Sequence, residues 1–246
     1  MSHIRESMMF NDQMGKYIQV MQHVLASSAV WLVIGISTFD NIWSIWSGQE
    51  QMEWFSWISL ALIFYIGTGI FYSFAHGNFR VTASEAFRSA GPVIFPIILF
   101  SIKLSMFWMI PFVFALVAVV TTGENEFAIA LVTIVVISLM LVSVIIGTAI
   151  VFIRDDYRLW QTVRIIFNDL GLLLYQTWLP MALCIAAIAI SFVLALNEDT
   201  HAWLIIVTPM VELAEYAFFL YVVGVLTTEP RYLKLSESDE NQNPLL

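Results

Sequence analysis

Apolar runs of 20 to 30 residues alternate with short polar connections along almost the whole chain. A bilayer core about 30 Å thick needs roughly 20 apolar residues in helical form. Six stretches meet that length: 20–39, 54–74, 92–121, 127–153, 170–196 and 203–226. Main-chain polar groups find no water inside lipid, so helices are the expected form for each. The third stretch is longer than a perpendicular span and is expected to tilt or to begin along the interface. The first follows a polar turn with Gln19, Gln22 and His23, which leaves open whether the chain lies flat there before it crosses. The expected fold is all-α: one polytopic membrane helix bundle over residues 1–228, then an acidic tail, 229–246, whose Ser, Asn and Glu content predicts disorder.

Basic residues orient the spans. Arg5 and Lys16 precede the first, Arg80 and Arg88 separate the second from the third, Arg154, Arg158 and Arg164 separate the fourth from the fifth, and Arg231 and Lys234 follow the sixth. The other three connections carry only acids, among them Asp40, Glu50, Glu53, Glu124, Glu126, Glu198 and Asp199. Nine basic residues on one side and none on the other predict cytoplasmic N- and C-termini. Trp43, Trp46, Trp54, Trp57 and Trp203 fall at the predicted outer boundary, where an aromatic belt belongs.

Composition excludes other classes. Only 12% of residues are charged, 60% are hydrophobic and mean hydropathy is +0.83; a soluble domain carries about 25% charged residues. A net charge of −9 with ten Lys and Arg argues against nucleic acid, whose phosphates such residues must neutralise. The lone cysteine, Cys184, allows no intrachain disulfide and reads as a packing residue. The N-terminal segment holds Glu6, Asn11 and Asp12 without a compact apolar core and cleavage site, so the first span is expected to be retained.

An internal repeat is visible. Ile66-Gly67-Thr68-Gly69-Ile70 matches Ile146-Gly147-Thr148-Ala149-Ile150, and Asn78-Phe79-Arg80 matches Asp156-Tyr157-Arg158 if a gap of two residues is allowed. Each unit continues through a short amphipathic stretch with a second arginine, Arg88 or Arg164, into a proline-bearing span. The pattern predicts two helical hairpins, parallel to each other, with cytoplasmic elbows in the headgroup layer. Their arginines, Arg80, Arg88, Arg154, Arg158 and Arg164, would face lipid phosphates. The elbows Ala83-Ser84-Glu85-Ala86-Phe87-Arg88 and Trp160-Gln161-Thr162-Val163-Arg164, each leading into a long apolar span, resemble those of bacterial six-span membrane families of unknown function. These are similar to the membrane-anchoring portion of membrane-bound glycerophosphodiester phosphodiesterases. The resemblance covers roughly Trp54 to Leu226. It implies the fold, a bacterial inner membrane and a membrane-organising role. It carries no catalytic residue, because the phosphodiesterase domain has no counterpart in this sequence.

Three ionisable residues fall near mid-depth: Lys103 in the third span, and Glu212 and Glu215, three apart, in the sixth. Charges at that depth are costly and are functional candidates. They read as an ion pair registering the third span against the sixth, as a relay in a small transporter or channel, or as side chains that do not meet at all. Sparse polar neighbours (Ser101, Ser105, Thr208 and Tyr216) favour the pair. Ala182, Ala186 and Ala189 would let another helix approach the fifth span, internal packing being the expected use. No two of His3, His23, His76 and His201 have the spacing that puts two metal ligands on one helix face, and no phosphate loop, nucleophile elbow or metalloprotease motif occurs. The expected function is a non-enzymatic membrane protein without cofactor or metal, a subunit or accessory factor that organises a membrane complex or its lipids. Its expected partners are lipids and other membrane proteins, or a second copy.

Overall fold

The computed structural model of the chain describes residues 2–47, 53–122, 140, 142–195 and 203–228. Among them the regular elements are helices: α1 (Ser2–Ala26), α2 (Ser28–Ser47), α3 (Glu53–Ala75), α4 (Ala83–Thr122), α5 (Val142–Arg154), α6 (Leu159–Ala195) and α7 (Leu204–Thr228). Four of them, α3, α4, α6 and α7, contain segments long and apolar enough to cross a membrane, and α1 with α2 make a fifth if that bent pair counts as one span. Most of the expected fourth span (127–139 and 141), the acidic connections at 48–52, 123–126 and 196–202, and the tail from 229 lie outside the described residues.

The expected first span, 20–39, is not one helix. The chain breaks at Ser27, and the two helices meet at a bend of 76°. The groups freed by the break are satisfied locally. The Ser27 amide donates to Val24 O at 3.1 Å and the Trp31 indole to Leu25 O at 2.8 Å, which caps the end of α1. They are also satisfied from afar. Ala29 N–H donates to Val81 O at 3.1 Å, Val81 N–H donates to Ser27 Oγ at 3.2 Å, and Ser27 Oγ–H reaches Phe79 O at 3.2 Å. Ser27, Ala29 and Val81 are fully buried, so each unpaired amide there would carry a full desolvation penalty. The loop after α3 is thus stitched to the break between α1 and α2.

Both elbows turn the chain in the same way. Gly77 (φ 80°) and Asp155 (φ 50°) adopt the left-handed conformation, which glycine takes freely and Asp tolerates better than most residues. The next residue accepts a backbone N–H from two positions on: Arg80 N–H to Asn78 Oδ1 at 3.3 Å, and Arg158 N–H to Asp156 Oδ1 at 3.1 Å. This shared turn corrects the repeat's register. Eight residues before each left-handed residue stand Gly69 and Gly147, and three before stand Phe74 and Phe152, both fully buried. Gly69, not Gly67, is therefore the partner of Gly147, and the gap moves into the elbow, 76–82 in one unit and 155–158 in the other. The longer elbow ends in a capping box. Thr82 Oγ1 accepts Glu85 N–H at 3.3 Å, while Glu85 Oε2 accepts Thr82 N–H at 2.8 Å. The amphipathic stretches do not form separate interfacial helices; each continues unbroken into its span, as α4 and α6.

α7 is the hub, touching α1, α2, α3 and α6. Its residues Tyr216 to Val223 are buried on every side, as befits a helix surrounded by others. Phe71 of α3 stacks on Phe219 at 4.2 Å between ring centroids and meets Tyr216 at 5.1 Å. α3 and α4 form a tight hairpin in which the backbones nearly touch. A Cβ at Gly69 would overlap the Ala86 carbonyl and come within 2.7 Å of its carbon. The hairpin is laced by Tyr65 O–H to Phe87 O at 3.1 Å and by the Ser73 and Ser89 hydroxyls at 3.3 Å. Gly147 of α5 also faces α4, against Leu104 and Phe100.

Gly69→Ala is therefore expected to cost about 1–3 kcal/mol by overpacking. Gly35→Ala, where a Cβ meets nothing within 4 Å, is expected to be neutral or to stabilise by up to about 1 kcal/mol. Denaturation of the purified protein in mixed micelles measures both, and equal midpoints for the two variants would contradict the close approach of α3 and α4.

Candidate functional site

Four polar side chains form a seam between α2 and α7. Ser37 and Asn41 are one turn apart on α2; Thr208 and Glu212 are one turn apart on α7. Ser37 Oγ–H donates to Glu212 Oε1 at 3.0 Å, and Asn41 Nδ2–H donates to Thr208 Oγ1 at 2.8 Å. The pairing runs in opposite senses on the two helices, so the antiparallel neighbours are laddered at successive turns. One residue along α2, Asp40 Oδ1 accepts Ser56 Oγ–H of α3 at 3.0 Å, which extends the seam to a third helix. Ser37 lies ten residues beyond the break at Ser27, about 15 Å along α2 at 1.5 Å per residue.

Glu215 follows on α7, half-buried, with no hydrogen bond to another described residue. Next to it the ring of Tyr216 sits with its hydroxyl 3.1 Å from where a Cβ on Gly67 would lie. Gly67 is thus kept small for α7, and Gly69 for α4.

Lys103 does not join the two glutamates. It is exposed on α4 and makes no ion pair with another described residue. Its neighbours on the helix, Phe100 and Leu104, point inward to Gly147. The expected cluster of Lys103, Glu212 and Glu215 reduces to the two glutamates, with Ser37 rather than lysine as the partner of Glu212. Ala182 and Ala186 are exposed as well, while Ala189 is half-buried, so two of the three small residues of the fifth span are not spent on internal packing.

Arg80, Arg88, Arg158 and Arg164 are exposed on the elbows. Arg154 is half-buried at the end of α5 and lines a small recess with Ile150, Ile165 and Leu226. Arg158 Nε lies 3.6 Å from Asp156 Oδ1, and His76 Nε2 of one elbow lies 3.5 Å from Asp155 Oδ2 of the other. Burial, with Asp155 and Tyr72 adding to it, pushes the Tyr157 hydroxyl up to about 12, so that elbow ring stays neutral. Among the described residues, no group of three or more His, Cys, Asp and Glu side chains could hold a metal ion.

No family model matches the chain, and no curated protein or solved structure is significantly similar to it. The residues that sequence reasoning passed over, Ser37 and Asn41, carry one readable mark: two polar side chains at i, i+4 in an apolar helix, opposite the same spacing in Thr208 and Glu212.

Ser37→Ala should lower stability by about 0.5–1.5 kcal/mol, the range for hydrogen bonds between membrane helices. Lys103→Met should change it little, whereas breaking a buried ion pair costs about 3–5 kcal/mol. Unfolding by a graded SDS titration separates the two, and a large loss in Lys103→Met would restore the ion pair.

Proposed function

We propose that the chain is a six-span inner-membrane protein, both termini cytoplasmic, that organises lipids or a membrane complex at its cytoplasmic surface without catalysing a reaction. The elbow surface carries this reading. Exposed Arg80, Arg88, Arg158 and Arg164 stand among Phe79, Phe87 and Trp160, whose side chains are 39%, 41% and 73% exposed. Arginine forks grip phosphate by charge-assisted hydrogen bonds. Basic residues at the cytoplasmic surface draw anionic lipid with about 1 kcal/mol each, and aromatic rings settle at headgroup level. The confinement of basic residues to one set of connections supports the orientation. The likeness of the elbows to bacterial membrane-anchoring segments supports both the compartment and the role. A partner protein or second copy would meet the outward faces of α4 and α6, where Phe95, Met106 and Ile190 are exposed.

A small transporter is the second reading, and Glu215 is the observation in its favour: a carboxylate three residues from Glu212, with no hydrogen bond to another described residue.

Replacing Arg80, Arg88, Arg158 and Arg164 together by Gln should leave the helical content intact. It should also lower the anionic lipid that co-purifies with the chain by about tenfold or more. Unchanged anionic lipid would rule out the elbow reading. Loss of a proton or solute flux in proteoliposomes on Glu215→Gln, with assembly unaffected, would favour transport.

A further inference from the structure

Two cavities meet where α1, swung away from α2, lies against α6 and α7. The first, about 490 Å³, is lined by Asp12, Gln13, Lys16 and Gln19 of α1 and by Tyr175 and Tyr221 opposite. The second, about 350 Å³, is apolar, lined by Phe74, Phe79, Leu220 and Val223. Val20, His23 and Gly224 belong to both walls. Each volume is in the range of small-molecule sites, about 300–1,000 Å³.

The chemistry changes in order along α1. Asp12, Lys16, Gln19 and His23 follow at steps of four, three and four, so they share one helix face. That face runs from acid to base to the mouth of the apolar cavity. Gln13 fixes the polar end. It is 4% exposed, and its Nε2–H donates to the Tyr175 carbonyl at 3.0 Å, which sets the orientation of the amide. Its Oε1 is then buried with no hydrogen-bond partner. A buried carbonyl left so retains its full desolvation penalty until a donor arrives. Beside it, Lys16 Nζ and Asp12 Oδ2 are 2.7 Å apart but more than 60% exposed, a surface pair that is easily opened.

We propose that the double cavity binds one aminophospholipid. Its primary ammonium donates to Gln13 Oε1 and faces Asp12, its phosphate lies beside Lys16, and one acyl chain passes Val20 and Gly224 into the apolar cavity. The site rests on reading the elbow side as a membrane surface, and is independent of the elbow arginines. A choline headgroup carries no N–H and cannot satisfy Gln13, so the site discriminates between two zwitterionic lipids of equal charge.

The test is native mass spectrometry of the delipidated full chain, titrated with phosphatidylethanolamine or phosphatidylcholine of the same acyl chains. One phosphatidylethanolamine per chain, bound about tenfold more tightly than phosphatidylcholine, is expected from one charge-assisted hydrogen bond. Gln13→Leu should abolish that preference. Gly224→Leu, where an added Cβ meets nothing within 4 Å, should weaken both lipids by filling the shared wall without disturbing the helix. Equal affinity of the wild-type protein for the two lipids overturns the assignment, and so does a preference that survives Gln13→Leu. The four-arginine variant should keep the preference; its loss there would transfer the headgroup to the elbows and also overturn the site. The anionic lipid bound by that variant tests the elbow reading alone.

Discussion

A main-chain amide that leaves a helix within or at the edge of lipid has to find another partner, and the architecture is arranged around that requirement. Among the described residues the chain departs from helix between elements at Ser27, at 76–82 and at 155–158. The first two departures satisfy one another: Ala29 pairs with Val81, and the Ser27 hydroxyl both accepts from Val81 and donates to Phe79. Without the other, the break would leave the Ala29 amide and the elbow the Val81 amide without the partner it has here. Together they leave no orphaned donor at Ala29 or Val81, and they join α1, α2, α3 and α4 at a single knot.

That knot dictates the rest of the arrangement. With α1 turned by 76°, it lies against α6 and α7 instead of prolonging α2, and the cavities along its polar face follow from that turn. With the start of α2 anchored at the elbow, its far half meets α7, where Ser37 and Asn41 reach Glu212 and Thr208. Side chains obey the same rule as the backbone here: a polar group at depth is tolerated where a neighbouring helix supplies its partner. α7 can present glutamates on one stretch and a fully buried apolar segment on the next because helices surround it.

The apolar runs make α3, α4, α6 and α7 readable from sequence, and the elbows announce themselves through Asn78-Phe79-Arg80 and Asp156-Tyr157-Arg158. Three things are not readable in that way. Hydropathy does not sense a bend, and Val24, Leu25, Ala29 and Val30 look like one run; the partner that permits the break, Val81, is over fifty residues away. Residue identity pairs Gly67 with Gly147, but helix geometry is counted from the turns, and the turns pair Gly69 with Gly147. Depth along a helix says nothing of azimuth: Phe100, Lys103 and Leu104 lie at one level, yet the lysine is exposed while the other two are buried. The partner of Glu212 was hidden for a related reason, since a serine hydroxyl can complete a carboxylate's hydrogen bonding without leaving any charge in the sequence to mark it.

The lengths of α4 and α6 impose a last constraint. Forty and 37 residues extend about 60 and 55 Å at 1.5 Å per residue, more than the 40–45 Å of a bilayer with its headgroups. The start of α4 is capped by Thr82 and Glu85, polar groups that belong at the wet boundary, and Arg88 is exposed one turn further on. If α4 stood upright with its first turn at that boundary, its apolar end near Val117 would emerge into water. A lean of up to about 40°, within the range of membrane helices, would remove the conflict, and Pro92 and Pro96 each lack the N–H that would continue the hydrogen-bond ladder of α4. On the proposed elbow reading, the same lean would keep Arg88 and Arg164 at headgroup level while the helices behind them descend. The passage from elbow to span is unbroken in both α4 and α6, so on that reading the arginines would be carried by the spans themselves, with no separate interfacial helix required.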